Sequence, residues 1–126
     1  MSRSIACRIL RPDEWERARA AGELLPTPLD LKDGFLHLSP RSEVLETAAR
    51  YFTDSTKLIL LRFSTEELKP HLRWEAVPSR NGQLFPHYYG RLSLQMSFQV
   101  SRLTRSTLTA PWEITEVTKD NPEFSP

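Results

Sequence analysis

Residues 72–102 read LRWEAVPSRNGQLFPHYYGRLSLQMSFQVSR, and the fold class turns on whether any of this stretch is helical. Leu72 to Val77 alternates apolar and polar side chains, as a half-buried strand does, and Asn81-Gly82 is the dipeptide of a tight hairpin turn. Leu84 to Tyr89 and Leu92 to Arg102, the latter with Leu94, Met96, Phe98 and Val100 in alternation, read as further strands. Pro86 confines its own strand to an edge or a break, because it has no amide to give to a ladder. Parallel neighbours need crossover helices, and this half of the chain offers none, so a doubly wound parallel sheet is excluded.

Toward the N-terminus the periodicity changes. Ile5 to Leu10 is a short apolar run that suits a strand, and Arg11-Pro12-Asp13 opens a short helix carrying Trp15, Ala18 and Ala21 or Gly22, stopped by Gly22, Pro26 and Pro28. A loop rich in Pro and Asp leads to an Asp33-Gly34 turn and a compact strand, Phe35 to Leu38. Ser42 is placed to cap a second helix, whose apolar face is Val44, Leu45, Ala48, Ala49 and Phe52. Lys57 to Phe63 suits a buried strand, and STEELKP after it has the signature of one helical turn. The expected architecture is α+β, a small split mixed or antiparallel sheet with two or three helices. The expected organisation is a single domain over residues 1–110, with residues 111–126 as an extension that is partly docked or loose.

The 126 residues suffice for one core without disulfides, and 39% hydrophobic with 26% charged residues is the balance of a globular chain. Seventeen basic against sixteen acidic residues leave a formal charge of +1, which provides no global field for nucleic acid or an anionic membrane. The single cysteine, Cys7, cannot form an internal bridge. With no signal peptide and no apolar run long enough to span a bilayer, a cytoplasmic location is expected.

Three places carry residues suited to chemistry. In an extended backbone His37 shares a face with Phe35 and Ser39, so a histidine and a hydroxyl project together just before a helix start, where backbone amides can hold an anion; the alternative is a core histidine bonded to backbone. Arg73 and Glu75 share a face of their strand, either as a surface ion pair or as a carboxylate that stabilises a cationic transition state. His87 and Tyr89 share a face after Pro86, giving an aromatic wall with donors, or else the tyrosines pack with Phe85 in the core. A metal centre built from His37, His71, His87 and Glu75 is not expected, since the step from His71 to Glu75 aligns ligands only on a helix. Glycine-rich phosphate loops, nucleophile elbows and Cys-His arrangements are absent from the sequence.

DGFLHLS at Asp33–Ser39, LRWE at Leu72–Glu75 and LFPHYYGRL at Leu84–Leu92, with Trp15 in the first helix, resemble the family called domain of unknown function 952. That family is similar to the ADP-ribosyltransferase-like fold, whose cleft holds NAD in its active members, and FLHLS looks like the HVHLS segment of the RNA 2'-phosphotransferases. The resemblance implies that His37 belongs to an NAD-binding set. It also implies that Glu75, by residue type, corresponds to the late-strand glutamate of the toxin-like members. The first strand departs from those relatives, offering Arg8 or Cys7 in place of a histidine.

The leading expectation is therefore a nucleotide or NAD-type pocket, with NAD as substrate and ADP-ribosyl or related glycosyl transfer as the reaction. His37, Glu75 and His87 are the catalytic candidates, and His37, Ser39, Arg73 and Tyr89 the ligand-binding ones. The alternative is a binding or interaction module without chemistry, which the missing first-strand histidine favours. An RNA-processing role ranks last, given the near-neutral charge.

Overall fold

The computed structural model describes residues 4–117. Its strands are β1 (Ile5–Leu10), β2 (Leu36–His37), β3 (Ser39–Pro40), β4 (Lys57–Ser64), β5 (Leu72–Val77), β6 (Gln83–Tyr88), β7 (Ser97–Thr104) and β8 (Glu113–Val117). The helices are α1 (Pro12–Ala21), α2 (Pro28–Asp33), α3 (Val44–Tyr51) and the four-residue α4 (Thr65–Leu68). The strands form two sheets, ordered β3-β1-β4-β7-β8 and β2-β6-β5, and every pairing is antiparallel. This is an α+β fold with a split antiparallel sheet.

β4 reads as a nearly unbroken apolar run because the larger sheet is covered on both faces. On one side Ala6, Leu10, Ile59, Leu61 and Phe63 meet Trp15 and Ala18 of α1 together with Leu36, Leu38 and Tyr88 from the smaller sheet. On the other, Cys7, Ile9, Leu58, Leu60 and Leu103 meet Val44 and Ala48 of α3 and Trp112. The smaller sheet thus gives one face to the core and leaves its other face outward.

Several expectations need correction. The segment read as a Pro-rich loop contains a helix, α2, because Thr27 and Asp30 cap each other: the Asp30 amide donates to Thr27 Oγ1 at 3.2 Å and the Thr27 amide to Asp30 Oδ2 at 2.8 Å. Among the described residues α2 thus joins α1, α3 and the four-residue α4, making four helices where two or three are expected. Ser42 does not cap α3; it lies inside a 3-10 turn, Arg41–Glu43, that precedes the helix. Leu94 and Met96 likewise belong to a 3-10 turn, and β7 begins only at Ser97. The extension over residues 111–126 is not among the corrections: Trp112 is buried and β8 pairs with β7, while residues 118–126 lie outside the described part.

Pro86 is not on an edge strand. It sits in β6, the centre of the smaller sheet, and the physical reason it is tolerated also explains the split. Leu36 pairs with Tyr88 and His37 with His87, so Leu38 falls opposite Pro86. The Leu38 amide donates to the Pro86 carbonyl at 3.2 Å, but proline has no N–H to return, and the ladder stops there. The chain then leaves for the other sheet, where Ser39 pairs with Cys7 and Pro40 with Ala6.

A buried ion pair fastens the junction. Arg8 lies between Ala6 and Leu10 on the inward face of β1, only 5% exposed. It donates Nη2 to Asp30 Oδ2 at 2.7 Å, Nη1 to Asp30 Oδ1 at 3.3 Å, and Nη1 again to the His37 carbonyl at 2.8 Å. Burial alone would raise the Asp30 carboxyl; hydrogen bonds from His37 and Arg8, the Arg8 charge and the Thr27 amide outweigh it and hold Asp30 far below the usual carboxylate range.

Removing one partner of such a pair strands the other charge, so Asp30→Asn is expected to lower unfolding free energy by about 3–5 kcal/mol in a urea titration. A folded-state pKa below the unfolded one means that this contribution is complete above about pH 5 and is lost as acid carries the pH below the unfolded value of about 3.9. The wild-type stability should fall over that acidic interval more steeply than that of Asp30→Asn; parallel acid curves would contradict the assignment.

Candidate functional site

Residues directly opposite each other on antiparallel strands share a face, and so do residues two apart on one strand. His37 is opposite His87, and His87 opposite Arg73. Glu75 is two residues on from Arg73 and lies opposite Phe85. Together with Phe35 and Tyr89 these side chains occupy the outward face of the smaller sheet, while Leu36, Leu72 and Tyr88 on the opposite face enter the core.

Phe35 is the centre of the cluster. Its ring stacks on His87 at 3.9 Å between centroids and 18° between planes, and tilts against His37 at 4.6 Å and Tyr89 at 5.4 Å. The His37 and His87 rings stand edge to face at 5.8 Å. Arg73 places its guanidinium over Tyr89, 5.2 Å from the ring centroid. The face is thus an aromatic platform with cations and carboxylates set around it.

The two histidines sit in different electrostatic settings. His37 has Nδ1 at 2.7 Å from Asp30 Oδ1 and Nε2 at 2.9 Å from Asp33 Oδ2, and its backbone amide also donates to Asp30 Oδ1 at 3.0 Å. Both ring contacts are hydrogen bonds at once only when both nitrogens carry protons. Asp30 orients the ring from the buried side, with its other oxygen committed to Arg8, so the ion pair that fastens the fold also fixes His37.

His87 pairs Nδ1 with Glu75 Oε1 at 2.6 Å, and the Tyr89 hydroxyl donates to the same Oε1 at 2.8 Å and to Oε2 at 3.1 Å. Hydrogen bonds from His87 and Tyr89 hold the Glu75 carboxyl below its ordinary range. For His87, burial lowers the imidazole pKa and outweighs the opposing pull of Glu75. Accepting the phenol's hydrogen bond, Glu75 also pushes the Tyr89 pKa up. At neutral pH the arrangement is a neutral imidazole donating Nδ1–H to a carboxylate, with Nε2 left as the basic nitrogen.

The structure therefore brings His37, Arg73, Glu75, His87 and Tyr89 onto one face. It does not bring Ser39 there. Once Pro86 ends the ladder the alternation is reset, and Ser39 lies buried in the larger sheet with its hydroxyl donating to Thr47 Oγ1 at 3.2 Å. Thr47 also accepts from Arg80, which pairs with Glu43 at 2.8 Å and covers the Phe85 ring at 4.6 Å. His71 stands apart, packed against Tyr88. Among the described residues, no three His, Cys, Asp or Glu side chains are grouped to hold a metal ion, and no helix is long and apolar enough to cross a membrane.

Sequence reasoning missed Asp30, Asp33 and Arg8 as parts of the site. Thr27-Pro28-Leu29-Asp30 carries a visible capping-box pattern that could have placed Asp30 at a helix start. Nothing local links it to Arg8 or to His37.

A search of curated proteins found no match. Among solved structures, the crystal structure of protein CC0527 from Caulobacter crescentus is similar at 35% identity, covering 86% of this chain and 93% of that one with a TM-score of 0.77. Its solution NMR structure gives 36% identity, 85% and 90% coverage and a TM-score of 0.72. The sequence profile of the family described as protein of unknown function (DUF952) matches residues 9–100. Matched over most of its length, with His37, His87 and their carboxylate partners inside the matched region, the chain belongs to the DUF952 family.

Proposed function

We propose that the outward face of the smaller sheet binds an NAD-type nucleotide and transfers its ribosyl group away from nicotinamide. The observation that carries this reading is the ionised Glu75 carboxylate set beside the Phe35–Tyr89 aromatic surface. Nicotinamide in NAD is a flat cationic ring, which suits an aromatic platform, and as its bond to ribose C1' breaks the positive charge moves onto the sugar. A fixed carboxylate stabilises that oxocarbenium character more than it stabilises the ground state. Arg73 flanks the platform and the His37 ring adjoins Phe35, so an anionic diphosphate finds a guanidinium fork and the ligand's flat rings find a further aromatic edge. Ser39 has no part in this scheme, since its hydroxyl is engaged with Thr47.

The second reading, a binding module without turnover, is favoured by one feature: Glu75 Oε1 already accepts from both His87 and Tyr89, which diverts part of its charge from a ligand. Nicotinamide release separates the two. Under the first reading Glu75→Gln retains NAD binding and loses release by about 100-fold or more; under the second, wild type releases nothing while ADP-ribose still raises the melting temperature.

Calorimetry tests the shared claim. NAD and ADP-ribose are expected to bind wild type, and His37→Ala to weaken binding by about 1.5–3 kcal/mol, tenfold or more in Kd. Absence of binding heat at millimolar ligand, or unchanged affinity in His37→Ala, would remove the nucleotide reading altogether.

A further inference from the structure

We infer that His87 is the general base of this site and that the group it activates is an O–H acceptor, water or an alcohol. The inference rests on the ribosyl-transfer reading and adds the acceptor class to it.

Geometry separates the two histidines. Both ring nitrogens of His37 are engaged, by Asp30 and by Asp33. His87 is engaged only through Nδ1, by Glu75. Among the described residues, the buried side-chain nitrogens that lack a partner are Arg8 Nε and Trp112 Nε1. Among the described residues His87 Nε2 has no hydrogen-bond partner and is not one of these fully buried nitrogens, although the side chain is only 8% exposed. The ring cannot readily turn, because Phe35 stacks on it and Glu75 holds its far edge. A histidine whose Nδ1–H is anchored on a carboxylate and whose Nε2 is open is in the tautomer a base requires.

The step balances without any further reagent. As the acceptor oxygen bonds to ribose C1', its proton passes to His87 Nε2. The C1'–nitrogen bond breaks with its electron pair leaving on nicotinamide, which departs as a neutral molecule. Glu75 stabilises the imidazolium, which then returns the proton to solvent.

The acceptor class follows from which groups can attack before losing a proton. A lysine ammonium has no free lone pair and an arginine guanidinium has its own delocalised, so each must first give up a proton that it holds many units more tightly than an imidazole does. A thiolate needs no base. Water or an alcohol becomes acidic as it attacks, when a weak but well-placed base is sufficient. The charged and titratable groups facing His87 are Glu75 and Arg73 on β5, His37 on β2, Asp33 at the end of α2 and Tyr89 just beyond β6. Of these only Glu75 bonds the ring.

Nicotinamide release from NAD by the whole chain is the test, followed over pH for wild type and His87→Gln. Expected are a wild-type kcat/KM that falls as acid protonates His87, below the ordinary histidine range, and loss of both that limb and about 100-fold in kcat in His87→Gln with NAD affinity retained. Free ADP-ribose in water and an O-methyl glycoside in added methanol are the expected products. Acceleration by methylguanidine but not by methanol would overturn the acceptor class. NAD binding with release unaltered in His87→Gln would overturn the base while leaving the nucleotide reading standing; no NAD binding at all would overturn both. Nitrogen NMR of unmutated protein guards against a variant that fails to fold: His87 should carry its proton on Nδ1 at neutral pH, and a proton on Nε2 would contradict the assignment.

Discussion

A guanidinium placed in the middle of an apolar stripe must be neutralised where it stands, and Arg8 occupies that position between Ala6 and Leu10. Leaving it unpaired would cost several kcal/mol, a large fraction of the net stability of a domain this size. The carboxylate that answers it comes from α2, on a different part of the chain, so folding of the larger sheet recruits the segment that carries Asp30. The same carboxylate takes the backbone amide and ring Nδ1 of His37. A structural requirement of the core is thereby converted into the orientation of a surface histidine, with no separate device needed to hold the ring.

A second constraint, at Pro86, decides where that histidine sits. A residue with another side chain would supply the N–H that closes the ladder opposite Leu38, and β2 could run on into Ser39 within one sheet. Proline ends it after His37, and the chain is released to pair with β1. The split sheet, the outward platform of Phe35, His87 and Tyr89, and the separation of His37 from Ser39 share this origin.

Much of this order is written in local pattern. β1, α1, α3 and β4 follow from periodicity and from helix stop signals, because each buries a face that its own sequence defines, and β5 follows from its alternation although its residues are only partly buried. The face shared by Arg73 and Glu75, and by His87 and Tyr89, also follows from strand alternation. Other features were not legible because they depend on partners distant in sequence. Leu38 meeting Pro86, and Arg8 meeting Asp30, are pairings across tens of residues that no window contains. α2 was hidden by prolines that ordinarily signal a loop, although Pro28 at the first position of a capped helix is compatible with helix. Ser39 was misplaced by carrying a period of two through a point where the chain changes sheets.

Function inherits this division. The outward face is positioned by the core beneath it, and the differing roles proposed for His37 and His87 arise from what lies behind each ring, Asp30 with its buried arginine in one case and Glu75 with Tyr89 in the other. The dependence of both fold and site on the Arg8–Asp30 pair is most directly measured by a double-mutant cycle on unfolding free energy with Arg8→Met and Asp30→Asn. A coupling of about 2–3 kcal/mol, the double variant being far less destabilised than the sum of the single ones, is expected; additive losses, with coupling near zero, would contradict the central role given to this pair.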